Sequence, residues 1–180
     1  MKHLLYQSKK PSYISVLLIL GLFLLLGTQS SSVYAIPIVS EDKRFLDNGD
    51  GTITDTKTEL MWMKKDSYLH FGHWLNWYEV HDYIKQLNDE EFAFYSDWKL
   101  PTTEELKTLY EREKLNSSQL GREMKIHIDP VFAKKGSGSI WSSDENGRYN
   151  ALGVVFNTNV IFNSNKRSRS RKATRAVRVN

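Results

Sequence analysis

The 180-residue chain has no cysteine. That absence excludes disulfide staples, thiol nucleophiles, cysteine-ligated zinc and dithiol redox chemistry in one step. Acidic residues are missing from the C-terminal end. None follows Glu145, whereas Arg148, Lys166, Arg167, Arg169, Arg171, Lys172, Arg175 and Arg178 do. The net charge is only +4, so the imbalance is local, and this end of the chain attracts anions. No Gly-x-y period is present, which excludes a collagen triple helix. The Gly136-Ser137-Gly138-Ser139 stretch lacks the lysine a phosphate loop needs after its second glycine and reads as a flexible loop. No Ser-His-Asp order or glycine-framed nucleophile turn stands out.

What is present begins with an export pattern. Lys2, Lys9 and Lys10 precede an apolar run from Ile14 to Gly27, and small or polar residues then lead to Val33-Tyr34-Ala35. These are the three parts of a secretory signal over residues 1–35, with cleavage after Ala35. The run is shorter than the ~20 residues a spanning helix needs; an uncleaved N-terminal anchor is the alternative. The protein is therefore expected to be periplasmic, cell-surface or secreted. Residues 36–43 read as an exposed leader and 44–180 as one domain. Aromatics make up 12% of the chain, enough for a packed core without disulfides and against wholesale disorder.

The element pattern is α+β. Asp47-Asn48-Gly49-Asp50-Gly51 is dense in turn formers between short strands, with Thr52-Ile53-Thr54 and Leu60-Met61-Trp62-Met63 flanking a second turn. Asn76 with Glu79 forms a capping box opening a helix whose stripe is Trp77, Val80, His81, Ile84 and Leu87. Thr102 with Glu105 opens a second helix, with Leu106, Leu109 and Tyr110 buried. Leu115 to Lys125 is polar and reads as loop. Strands follow at Ile140–Ser142, Ala151–Phe156, Val160–Phe162 and Thr174–Val179, with a hairpin turn at Asn157-Thr158-Asn159. Hairpins, two helices and an antiparallel sheet make an α+β arrangement.

Several blocks together resemble the Lcl C-terminal domain family, named for the C-terminal domain of a bacterial collagen-like adhesin. They are Arg44 to Asp55 with Leu60-Met61-Trp62, Asp97-Trp98-Lys99-Leu100-Pro101-Thr102 with Glu105-Leu106, Trp141-Ser142-Ser143, and Arg175-Ala176-Val177-Arg178. The resemblance spans roughly Arg44 to Val179. It implies a C-type-lectin-like α+β domain, exported and without established catalysis in most members; the named adhesin is associated with sulfated glycosaminoglycans. Many relatives carry cysteines in the first helix and last strand, where this chain has Ile84 or a neighbour and Ala176. The Leu-Pro-Thr-x-x-Glu-Leu block is also similar to a stretch of the formylglycine-generating enzymes, whose activity depends on cysteine.

Six cations, Lys166, Arg167, Arg169, Arg171, Lys172 and Arg175, form the most pointed candidate site. Arginine forks match sulfate, phosphate and carboxylate oxygens bidentately. Unopposed by acids and interleaved with serine, the run reads as a mobile contact for an anionic polysaccharide or other envelope polyanion; the alternative, usual for charge runs, is a solvated loop between strands. An exported protein does not meet intracellular nucleic acid, so that partner class is not expected. Asp47, Asp50 and Asp55 supply oxygens that suit calcium, but only part of a calcium loop is present; an Asx-rich hairpin is the alternative. His70, His73 and His81 lack a fixed third ligand for zinc and sit among aromatics, where histidine packs as an amphipathic ring. Glu104 and Glu105 are adjacent on a helix and do not face each other, against an acid–base pair. Trp74, Trp77 and Trp141 suit either a sugar platform or the core. The expectation is a non-enzymatic, adhesin-like binding module, with a structural or protein-binding envelope module as the alternative.

Overall fold

The computed structural model describes residues 38–119 and 121–180. The signal segment 1–35 and the first two residues of the leader lie outside the described residues. Among those described, no helix is long and apolar enough to cross a membrane.

Among the described residues, ten strands and three α-helices form an α+β fold, the helices lying between the fourth and fifth strands. Strands β1 (Ile38–Val39), β2 (Phe45–Asp47), β3 (Thr52–Asp55) and β4 (Leu60–Met63) form an antiparallel meander, and β10 (Val177–Val179) closes against β4. A second sheet is β7 (Ser139–Asn146), β8 (Asn150–Val155) and β9 (Val160–Asn165), and β5 (Ser117–Ser118) pairs with β6 (Lys125–Ile126). Within the leader Ile38 and Val39 are exposed but Ser40 is buried, and Ile38 and Val39 already pair with Asp47 and Leu46, so sheet pairing begins ahead of Arg44. Leu115 to Lys125 is not all loop: it carries β5 and the start of β6, with Gln119 buried.

Both expected capping boxes form. In α2 (Trp77–Asp89) the Asn76 side chain accepts from Glu79 N while Glu79 accepts from Asn76 N; Thr102 and Glu105 do the same for α3 (Thr103–Thr108). Asp144 pins the start of α3 to β7, accepting from Thr103 N at 2.7 Å and from its hydroxyl at 2.5 Å. One further helix, α1 (Ser67–Phe71), is capped by Asp66; five residues are too few to show a period. The buried stripe of α2 takes Tyr83 rather than His81, whose ring packs edge-on against Trp77 at the surface.

Two apolar clusters sit on opposite faces of the strands. Trp62, Ile140, Val154 and Val177 join Leu106 and Leu109 of α3 on one side. Met61, Met63, Trp141, Ala151 and Ala176 join Val80, Tyr83 and Leu87 of α2 on the other. Successive residues alternate between the clusters because strand side chains alternate in direction. The path of residues 173–177 connects the two sheets: Ala173 bridges Ile140 of β7, and Val177 lies between Lys99 and β4.

Gly136-Ser137-Gly138 is not a flexible loop. The three residues are buried, Ser137 N donates to Asp66 Oδ2 at 2.6 Å, and a Cβ on Gly136 would lie 2.2 Å from that oxygen. The turn after α2 is strained. Glu91, Ala93 and Phe94 adopt left-handed backbone at φ 48°, 55° and 68°, a region costing residues with a Cβ roughly 1–2 kcal/mol each. Inward-facing neighbours hold the turn: Trp98 Nε1 donates to Phe92 O at 3.0 Å, and the Arg178 guanidinium lies 3.9 Å from the Tyr95 ring centre.

Candidate functional site

The basic run does not behave as one unit. Strand β9 ends at Asn165, and the next two residues diverge. Lys166 N donates to Tyr149 O, Lys166 O accepts from Trp77 N, and its ammonium turns inward to pair with Glu145, 4.6 Å from the Trp77 ring centre. Arg167 turns outward, its N–H donating to Asn165 Oδ1 at 2.9 Å. Arg169 is exposed but its guanidinium grips Glu79, the capping residue of α2, and holds that carboxyl below its usual range. Arg171 is exposed with left-handed backbone at φ 52°. Lys172 is half-buried over Trp141 and Phe162, and burial pulls its ammonium down.

Arg175 is buried. Its Nη1 donates to Met63 O and Lys64 O, each at 2.6 Å, and its guanidinium lies 4.8 Å from the Phe132 ring centre. Asp66, fully buried, accepts from Leu69 N and Ser137 N; burial raises its carboxyl while the charge of Arg175 pulls the other way. The expectation of a mobile run unopposed by acids therefore does not hold. Glu145 and Glu79 reach it through space, and the chain it sits on is threaded between the sheets.

What the fold assembles instead is a cleft of about 320 Å³ lined by Tyr78, Arg148, Tyr149, Asn165 and Arg167. Tyr78 comes from the first turn of α2, Arg148 and Tyr149 from the β7–β8 turn, and Asn165 and Arg167 from the end of β9 and just beyond. Tyr149 is 65% exposed and Tyr78 48%. The Arg148 guanidinium lies 5.4 Å from the Tyr149 ring centre, and neither Arg148 nor Arg167 makes an ion pair among the described residues. Two open cation forks beside two open aromatic faces can hold an anion and stack a flat or ring-shaped ligand. Only Arg167 of these was singled out from sequence. A signal was there: the turn at Asn157–Asn159 sets Val155 opposite Val160, the same register places Asn150 opposite Asn165, and two residues further out lie Arg148 and Arg167.

The other candidates are engaged elsewhere. Asp47 accepts from Gly49 N and from Lys64 Nζ at 2.5 Å, Asp50 from Thr52 N and hydroxyl, and Asp55 from Arg44 and Lys57 N. Calcium there would have to displace Lys64 and Arg44. His70 Nδ1 lies 3.2 Å from the Tyr83 hydroxyl, His73 Nδ1 the same distance from Phe71 O, and both rings stack on Phe71. Trp77 and Trp141 are buried, their indoles donating to Ser142 O and Leu75 O, and Trp74 stacks on Tyr68 at 3.8 Å. Glu105 is occupied by its cap and Lys99, Glu104 by Lys107.

A larger open cavity of about 690 Å³ runs along Asp42, Lys43, Arg44, Lys57, Lys107 and Glu111. Its acids are already matched. Asp42, Glu111 and Asp129 surround the Lys114 ammonium, and Arg44 bridges Asp55 and Glu111. Burial pulls Lys114 down, but the hydrogen bonds it donates to Asp129, Asp42 and Glu111 outweigh it and raise the ammonium above its usual range. This is a structural ion network rather than an open metal centre.

A family model described as the Lcl C-terminal domain matches residues 51–178. No curated protein matches the chain.

Proposed function

Because the chain belongs to the Lcl C-terminal domain family, we propose that it is an exported, C-type-lectin-like binding module that holds anionic saccharide in the Tyr78–Arg148–Tyr149–Asn165–Arg167 cleft. The observation that carries this reading is the pairing of two exposed tyrosines with two arginines free of acids. A sugar ring packs on the aromatic faces, and its sulfate or carboxylate takes the guanidinium forks. The export pattern of the first 35 residues supplies the compartment in which such polyanions are met. The return of β10 to β4, which brings both ends of the domain into one sheet, supports the lectin-like assignment.

The lining suits binding rather than catalysis: two tyrosine faces and two guanidinium forks orient and hold an anion. Within the basic run, Arg167 is the direct contact, Arg171 extends the field, and Lys166, Arg169, Lys172 and Arg175 shape the cleft from behind.

The test is retention on immobilised heparin. The protein is expected to elute only at raised salt, because exposed charge contacts weaken as ions screen them. Arg148→Glu with Arg167→Glu is expected to abolish retention with an unchanged melting temperature. Unchanged elution of this double variant overturns the site.

A further inference from the structure

Among the described residues, three phenylalanine, tyrosine or tryptophan side chains are exposed: Tyr78, Tyr149 and Phe94. Two line the cleft. The third stands 96% exposed on the strained turn after α2. Phe92 and Tyr95 on either side face inward, and Phe94 N donates to Glu91 O at 2.7 Å, so the turn is held in a form that sets Phe94 outside. Backbone strain kept at a tip that sets an aromatic ring in solvent points to contact with a partner.

Charge narrows the partner. Asp89 and Asp97 near the tip are answered by Lys85 and Arg178, whereas Glu90 and Glu91 make no ion pair among the described residues. The tip thus presents one phenyl ring with two carboxylates that no cation pairs among the described residues, Glu90 accepting only from Gln86 Nε2 at 2.8 Å, and the cleft presents two tyrosine faces with two guanidiniums that no acid pairs. Tyr78 opens α2 and Glu90 closes it, so the two surfaces lie at opposite ends of one helix, roughly 20 Å apart at 1.5 Å per residue. They cannot meet within one molecule.

We propose that copies of this chain associate head to tail, Phe94 of one entering the Tyr78–Tyr149 cleft of the next while Glu90 and Glu91 meet Arg148 and Arg167. Knob and cleft are different surfaces, so the contact is heterologous and propagates into a chain or closes into a ring. This rests on the cleft alone and not on the saccharide reading. Because the cleft is shared, a short heparin oligosaccharide that fills it dissolves the assembly.

Sedimentation of the protein over a range of concentrations tests this. The mass is expected to rise with concentration and to fall with salt. Phe94→Ser, which removes an exposed side chain, is expected to weaken association roughly tenfold or more while leaving heparin retention intact. Arg148→Glu with Arg167→Glu is expected to lose both. Mixed together, the two variants should form a one-to-one dimer, since one keeps the cleft and the other the knob. A wild-type protein that stays monomeric at every concentration overturns the proposal, as does a Phe94→Ser variant that associates normally. Variants that fail to pair when mixed overturn the assignment of knob to cleft. Normal association of wild-type protein that does not bind heparin would remove the saccharide reading and leave this one standing.

Discussion

Arg167 and Arg175 belong to one basic run, carry the same group, and do opposite things. Arg175 is buried on the path that links the two sheets, where it ties down two carbonyls of the β4 end. Arg167 projects just beyond the end of β9 and makes no ion pair among the described residues. Lys166, the immediate neighbour of Arg167, sides with Arg175. The charge of a side chain says that it needs a partner; its place in the fold decides whether that partner is the protein or a ligand.

The comparison can be broken most severely at Arg175. Arg175→Ala removes the side-chain donor to Met63 O and Lys64 O, the second of which still accepts from Ala133 N, and leaves the buried Asp66 without its compensating charge. The expected loss is about 3–5 kcal/mol in urea unfolding. Burial raises the carboxyl of Asp66 above its unfolded value, so its charged form costs stability above the unfolded value, and acidification through the folded value removes that cost. Without Arg175 the carboxyl rises further. The gap between variant and wild type should therefore be widest near neutrality and narrow as pH falls. A gap that widens on acidification would show that Asp66 is not the group affected.

A smaller effect is expected at Lys166, whose stem lies on Trp77 and whose ammonium meets Glu145. Lys166→Ala should cost about 1–2 kcal/mol, and Lys166→Met less, because it keeps the apolar stem. Equal losses would locate the contribution in the charge rather than the packing. The smallest stability change is expected at Arg167. Arg167→Ser should stay within about 0.5 kcal/mol of wild type while lowering the salt at which the protein leaves heparin. A large drop in melting temperature would place Arg167 with the inward group.

The parts of this contrast that were legible in the sequence are local. Asn76 with Glu79 and Thr102 with Glu105 cap helices within a single turn, and both boxes form as read. The Asn157–Asn159 turn set its hairpin, because register follows from the turn. The α+β class followed from these elements. Two readings failed, and a third stayed open, for want of the same information. The glycine-serine stretch at 136–139 looked mobile but is enclosed by Asp66 and Gln119. The indoles of Trp77 and Trp141 could serve a sugar or a core, and only their carbonyl partners settle them inside. The basic run looked free of acids because Glu79 and Glu145 are distant in sequence, whereas α2 and β7 bring them to Arg169 and Lys166.

The sequence by itself determined the family, the capped helices, the alternating strands and a C-terminal end richer in cations than the rest. Each depends on neighbours within a turn or a strand, or on ordered blocks of residues. The tertiary structure alone decided which of those cations are spent inside. That choice depends on residues 173–177 passing between two sheets, a pairing of segments far apart in the chain. It also decided that Tyr78, from a different element, stands beside Arg148 and Arg167. A charge is buried or free according to what is folded over it, and no local pattern records that.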